Sequence, residues 1–86
     1  MKYQKGDFIV TSDDCGIITK TSSVSCSEDL ERMIFEVRFQ TRPEKKYTFI
    51  WSGDKHTGPY LWSINADCDA SNVKKIIRGN KTLWER

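Results

Sequence analysis

The stretch from Met33 to Trp51 limits what this chain can fold into more than any other. Phe35, Val37 and Phe39 alternate with Glu36, Arg38 and Gln40; further on, Tyr47, Phe49 and Trp51 alternate with Thr48 and Ser52. A period of two sends successive side chains to opposite faces of a strand. Each run therefore predicts a strand with one apolar, largely aromatic face. Arg42-Pro43-Glu44-Lys45 between them is read as the turn, with Pro43 pre-setting its first central torsion. Pairing the two strands lays their aromatic sets against each other and makes one half-buried hairpin face.

The other segments are shorter and carry weaker versions of the same signal. Lys5-Gly6-Asp7 reads as a turn entry, and Phe8–Thr11 as a strand with Phe8 and Val10 on one face. Ser12-Asp13-Asp14-Cys15-Gly16 is a turn of residues that bond their own backbone, with Gly16 expected at a positive φ or a bulge. Ile17–Thr21 is a second strand, rich in β-branched residues. Ser22–Arg32 changes character: Ser25-Cys26-Ser27-Glu28 fits a helix capping box, which predicts an acidic loop with one helical turn. Gly53–Pro59 is a loop punctuated by Gly and Pro. Tyr60–Ile64 is a strand with Tyr60, Trp62 and Ile64 on one side, and Asn65–Asn72 a polar loop. Val73–Arg78 and Thr82–Glu85 flank Gly79-Asn80-Lys81 as a C-terminal hairpin. A helix over Asn72–Arg78, stopped by Gly79, is the alternative, and the β-branched content favours strand. Five to seven short strands with frequent turns predict a mainly β fold. The expected form is a small single-domain antiparallel barrel, or barrel-like sheet, spanning residues 1–86, with one short helical turn.

An 86-residue chain supports one core, burying roughly 60–65% of its unfolded surface, and has little room for a deep cleft. It contains no apolar run long enough to span a membrane, and Met1–Lys5 lacks the apolar stretch of a signal peptide, so a cytoplasmic location is expected. Cys15, Cys26 and Cys68 are an odd set without a Cys-x-x-Cys pair, which predicts free thiols rather than a disulfide framework. Joining them with His56 as a zinc site would lack the short ligand spacings such sites show. No metal or cofactor is expected.

Nothing in the chain spells out catalysis. His56 is the only histidine, and no companion motif makes it the base of a nucleophilic triad; it reads as an exposed loop residue. Asp13-Asp14 and Asp67/Asp69 are carboxylate pairs in polar loops, where such pairs are ordinarily solvated turn residues. Phosphate-loop, dinucleotide and metalloprotease motifs are missing. The expectation is a protein that binds and does not catalyse.

Lys5-Gly6-Asp7-Phe8-Ile9-Val10, Gly16-Ile17-Ile18, Phe35-Glu36-Val37-Arg38-Phe39 and Tyr47-Thr48-Phe49, in that order, resemble the opening strands of a small barrel of the Src-homology-3 type, as in Tudor and KOW modules. With Leu61 further on, the chain is similar over residues 5–62 to short proteins encoded by tailed bacteriophages. Ser22–Arg32 and the tail after Asn65 depart from the simple pattern. The resemblance implies a binding module with no catalytic residue. It further implies a small phage protein that binds a host protein, for example an anti-CRISPR-like inhibitor of a defence system.

Two binding surfaces follow from the residues. The first is a protein-binding surface made of the acidic Glu28, Asp29 and Glu31 and the aromatic Trp51, Tyr60 and Trp62, the residue types that recognise basic grooves and fill interface centres. Core packing is the competing role for those three aromatics. The second rests on charge. Residues 1–40 carry five basic and seven acidic groups, and residues 41–86 nine basic and five acidic. In the basic half, Arg42, Lys45, Lys46, Lys74, Lys75, Arg78 and Lys81 would contact nucleic-acid phosphate, with Tyr47 or Trp84 stacking on bases. The net charge of +2 is too small to imply nucleic acid by itself. An exposed edge strand would also permit a homodimer.

Overall fold

A computed structural model of the chain describes residues 3–26, 30–54, 58–65 and 70–85. Seven strands form one antiparallel sheet: β1 (Phe8–Thr11), β2 (Cys15–Cys26), β3 (Leu30–Phe39), β4 (Arg42–Asp54), β5 (Gly58–Ser63), β6 (Val73–Arg78) and β7 (Lys81–Glu85). Their order across the sheet is β5-β4-β3-β2-β1-β6-β7. The chain thus winds outward as a meander from β1 to β5, then returns to place β6 against the free side of β1. The sheet curls into a half-barrel, and a 3-10 turn at Ala70–Asn72 lies against β5.

The aromatic alternation builds the inside of the curl. Phe35 stands opposite Phe49, Val37 opposite Tyr47 and Met33 opposite Trp51, and all six are buried. Ile9, Ile18, Val73 and Ile76 add the inner faces of β1, β2 and β6, and Tyr3 covers the cluster from the N-terminus. The rings meet edge-on or stacked: Phe35 and Phe49 lie 5.8 Å apart and nearly parallel, and Tyr3 meets Phe35 at 5.6 Å and an angle of 65°.

Irregular pairing bends the sheet. Register shifts occur in β2–β3 at Ile18/Lys20 and Ser23/Ser25, in β3–β4 at Val37/Phe39 and in β1–β6 at Val10/Thr11. Each extra residue raises the local twist and kinks its strand, which lets long strands wrap a core. Close approach at Gly16 serves the same end. A Cβ there would stand 2.6 Å from Val37 Cγ1 and 2.8 Å from the Phe39 ring. Gly16, expected at a positive φ or a bulge, is needed for space; positive φ among the described glycines falls at Gly6 and Gly79.

Two further sequence expectations are corrected. At its described residues Ser22–Arg32 departs from the expected loop with a helical turn: Ser22–Cys26 continue β2, Leu30–Arg32 begin β3, and Ser22 pairs with Ile34. A Ser-rich segment extends because the neighbouring strand offers it a ladder, whatever its own capping pattern. The helical turn lies instead at Ala70–Asn72. The central hairpin turns three residues early, at Gln40-Thr41, with Phe39 opposite Arg42. Neither turn residue has a positive φ, so the turn lacks the primed geometry that matches strand twist; Pro43–Lys46 bulge opposite Arg38 and take up the mismatch. Val73–Arg78 is a strand, as its β-branched content favours. Gly79, at φ 59°, gives its hairpin the positive angle that a II′ turn needs at the first central position.

An ion pair ties the residue before β1 to the end of β6. Asp7 is 1% exposed, and Arg78 reaches it from the end of β6, Nε donating to Oδ1 at 2.8 Å and Nη2 to Oδ2 at 2.9 Å. The Gln4 amide donates to the same carboxylate at 2.9 Å. The Asp7 carbonyl in turn accepts from the Ile18 amide at 2.8 Å. Burial by itself would push the Asp7 carboxyl up; the Arg78 fork and the Gln4 amide outweigh it and hold the carboxyl below its ordinary value. In the unfolded chain that carboxyl titrates near about 3.9. The unfolded state therefore takes up the proton more readily, and the contribution is complete above about pH 4 and fades as pH falls through the folded value. Asp7→Asn is expected to lower stability by about 2 kcal/mol at neutral pH. The gap between the two proteins should narrow at about pH 3. Urea unfolding at both pH values measures it, and an equal gap at both would remove the carboxylate from the account.

Candidate functional site

One side of the sheet is committed to the core, which leaves the outer face and, among the described residues, the far edges of β5 and β7 without a neighbouring strand. On β3, β4 and β5 the outer face is built in rows. Ser22, Ile34, Ile50 and Trp62 stand side by side on β2 to β5, and Arg32, Ser52 and Tyr60 form the next row. Alternation along β5 sends Tyr60 and Trp62 outward and Leu61 inward beside Trp51. Tyr60 and Trp62 on β5 and Ile64 just past its end are 53%, 38% and 62% exposed. The row of Ile34 and Ile50 beneath them is half-buried. Among the described residues no strand pairs with the far side of β5, and its end is held by Asn65, whose side chain accepts from the Thr48 amide at 2.8 Å.

The residues singled out from the sequence divide between several places. Tyr60 and Trp62 lie together at this edge. Trp51 does not join them: it is 5% exposed, folds back over Gly53, and packs edge-on against Tyr3 at 5.5 Å. It belongs to the core, because its parity on β4 is that of Phe49. Glu31 sits on β3 close enough to Tyr3 that its charge, after burial, helps push the Tyr3 phenol up. Glu28 and Asp29 lie outside the described residues, as do His56 and Cys68.

The basic residues do not form one strip. Arg42, Lys45 and Lys46 belong to β4; Lys74, Lys75 and Arg78 belong to β6, four strand steps away and so about 19 Å along the sheet, and Lys81 to β7, one step further. Arg78 engages Asp7. Tyr47 is buried and carries Arg42 and Lys45 over its ring at 4.9 and 5.2 Å, so it offers no face to a base. Trp84 is half-buried against the core. Asp14, read as a turn residue, is one: it accepts from the Cys15 amide at 2.7 Å and from the Thr41 hydroxyl, joining the β1–β2 turn to the central hairpin. Those bonds, the Thr41 amide and the nearby Arg42 outweigh burial and hold its carboxyl low.

Sequence reasoning passed over the part played by Ile34 and Ile50 beneath Trp62. Their signal was present, since both fall on the opposite parity to the aromatic sets. Among the described residues no three His, Cys, Asp or Glu side chains gather as metal ligands, and no helix is long and apolar enough to cross a membrane. Comparison of the chain with family models, with curated proteins and with solved structures finds no match.

Proposed function

We infer that this protein is a non-enzymatic binding module that docks an extended segment of a partner protein along β5. The observation that carries the reading is the exposure of Tyr60 and Trp62 on one face of an edge strand, with Ile64 exposed just past its end. An edge strand presents unpaired backbone donors and acceptors, and proteins ordinarily blunt it with charge; here the outward side chains are large and apolar. A peptide adding to such an edge gains main-chain hydrogen bonds, while alternate side chains meet the aromatic row. Arg32, in the row of Tyr60, supplies the remaining residue type common at interface hot spots. The narrower reading, a phage protein that occupies and inhibits a host defence factor in the manner of an anti-CRISPR, rests on the sequence resemblance alone.

Affinity capture from bacterial lysate, with and without nuclease, tests the reading when the native chain is run beside the double variant Tyr60→Ser, Trp62→Ser. The expected result is a discrete protein retained after nuclease and reduced about tenfold or more by the variant. Both side chains are exposed, so stability should change little. Retention that ignores the double substitution overturns the β5 assignment. Capture that disappears with nuclease favours nucleic acid held by Arg42, Lys45, Lys46, Lys74, Lys75 and Lys81.

A further inference from the structure

On the opposite half of the outer face lies a feature that the β5 edge does not explain. Phe8 on β1 pairs with Ile17 on β2, and Ile17 with Arg38 on β3. The three side chains form one row pointing away from the core, because Ile9, Ile18 and Val37 take the inward parity. Phe8 and Ile17 are both exposed. Beside them the bulge after the central hairpin raises Pro43, and Cys15 and the edge of Phe39 complete an open hollow of about 260 Å³. Its walls are almost wholly apolar, where the outer face of a one-sided antiparallel sheet is ordinarily polar.

Size and charge limit what fits. Small-molecule pockets run to about 300–1,000 Å³, so a hollow of this volume accommodates one side chain better than a whole ligand. Arg38 stands exposed at the rim and makes no ion pair or side-chain hydrogen bond among the described residues. Of the nearby carboxylates, Glu36 lies opposite Lys20, Asp14 is bonded to Thr41 and to the Cys15 amide, and Glu44 stands exposed in the bulge opposite Arg38 without bonding to it. An apolar hollow with an unpaired guanidinium at its lip complements an apolar side chain flanked by negative charge.

We propose that this hollow is a second docking site, which takes an aromatic side chain of a partner protein with a carboxylate next to it in sequence. The ring enters between Phe8, Ile17 and Pro43, and the carboxylate meets Arg38. The site is independent of the β5 edge: β1, β2, β3 and the start of β4 carry it, and none of its residues lies on β5.

Amide chemical shifts of the labelled full chain, titrated with three N-acetylated and amidated tripeptides, test the site. The probes are Glu-Phe-Glu, its neutral counterpart Gln-Phe-Gln, and Glu-Ala-Glu, which lacks the ring. Glu-Phe-Glu should produce saturable shifts centred on Phe8, Ile17 and Arg38. Gln-Phe-Gln should shift the same amides with about threefold to fivefold weaker affinity, the scale of one exposed ion pair. Glu-Ala-Glu should leave them unmoved. In Arg38→Gln the two phenylalanine peptides should bind alike, and in Ile17→Glu neither should bind, with unchanged shifts elsewhere showing that the fold is intact. Shifts that never saturate, that fall on β5 instead, or that are equal for the charged and neutral peptides in the native chain overturn the proposal. Loss of capture by the β5 double variant bears only on the other surface, so either reading can fail alone.

Discussion

Replacing Phe35 with alanine is expected to remove about 3–5 kcal/mol of stability, the cost of deleting a large ring from a core that cannot fully collapse. Phe35 is fully buried, stacks on Phe49 at 5.8 Å and meets Tyr3 edge-on at 5.6 Å. It therefore ties β3 to β4 and to the N-terminal segment at once. For a chain of this length total stability is on the order of 4–13 kcal/mol, so one substitution removes a large fraction of it. The melting temperature should fall by about 12–40 °C. Phe35→Leu keeps an apolar branched side chain there and should cost distinctly less. Thermal and urea unfolding of both variants measure the difference. A Phe35→Ala protein that melts within a few degrees of the native chain would mean that the curl of the sheet is not closed around this ring.

The second large effect concerns two tryptophans that look alike in sequence. Trp51→Ala should cost about 3–5 kcal/mol, whereas Trp62→Ala should cost about 1 kcal/mol or less. Trp51 pairs across β4–β5 with Leu61, inside, and Trp62 pairs with Ile50, outside. A one-residue difference in parity thus separates an indole packed on Tyr3 and Gly53 from one presented to solvent. Binding should report the reverse order: Trp62→Ala weakens partner capture in a protein that remains folded, while Trp51→Ala loses it only as far as it loses the fold. Equal destabilisation by the two variants would place β5 in a different register from the one described.

Arg78 shows how far local reading extends. Beside Lys74, Lys75 and Lys81 it reads as one more cation on a basic strand. In the fold it binds a carboxylate 71 positions earlier, and its guanidinium shapes the acid stability of the sheet rather than a contact surface. Nothing near either residue in the chain signals the other. Phe8 and Ile17 likewise read as ordinary strand residues, and their place on the outside appears only when the inward parity is known to belong to Ile9 and Ile18.

The sequence by itself determined the strands whose alternation is strong. Phe35 to Phe39, Tyr47 to Trp51 and Tyr60 to Ile64 each display a period of two, which is a property of consecutive residues and needs no partner to be read. It also determined the all-β character and the C-terminal hairpin, through β-branched runs and the glycine at Gly79. Only the tertiary structure decided that Ser22–Cys26 and Leu30–Arg32 extend β2 and β3. It alone set the place of the central turn, at Gln40-Thr41, and left β5 and β7 at the two ends of the sheet. Those outcomes depend on which strand lies alongside. A segment of serines has no decisive preference of its own, and takes the conformation in which a neighbouring ladder satisfies its backbone.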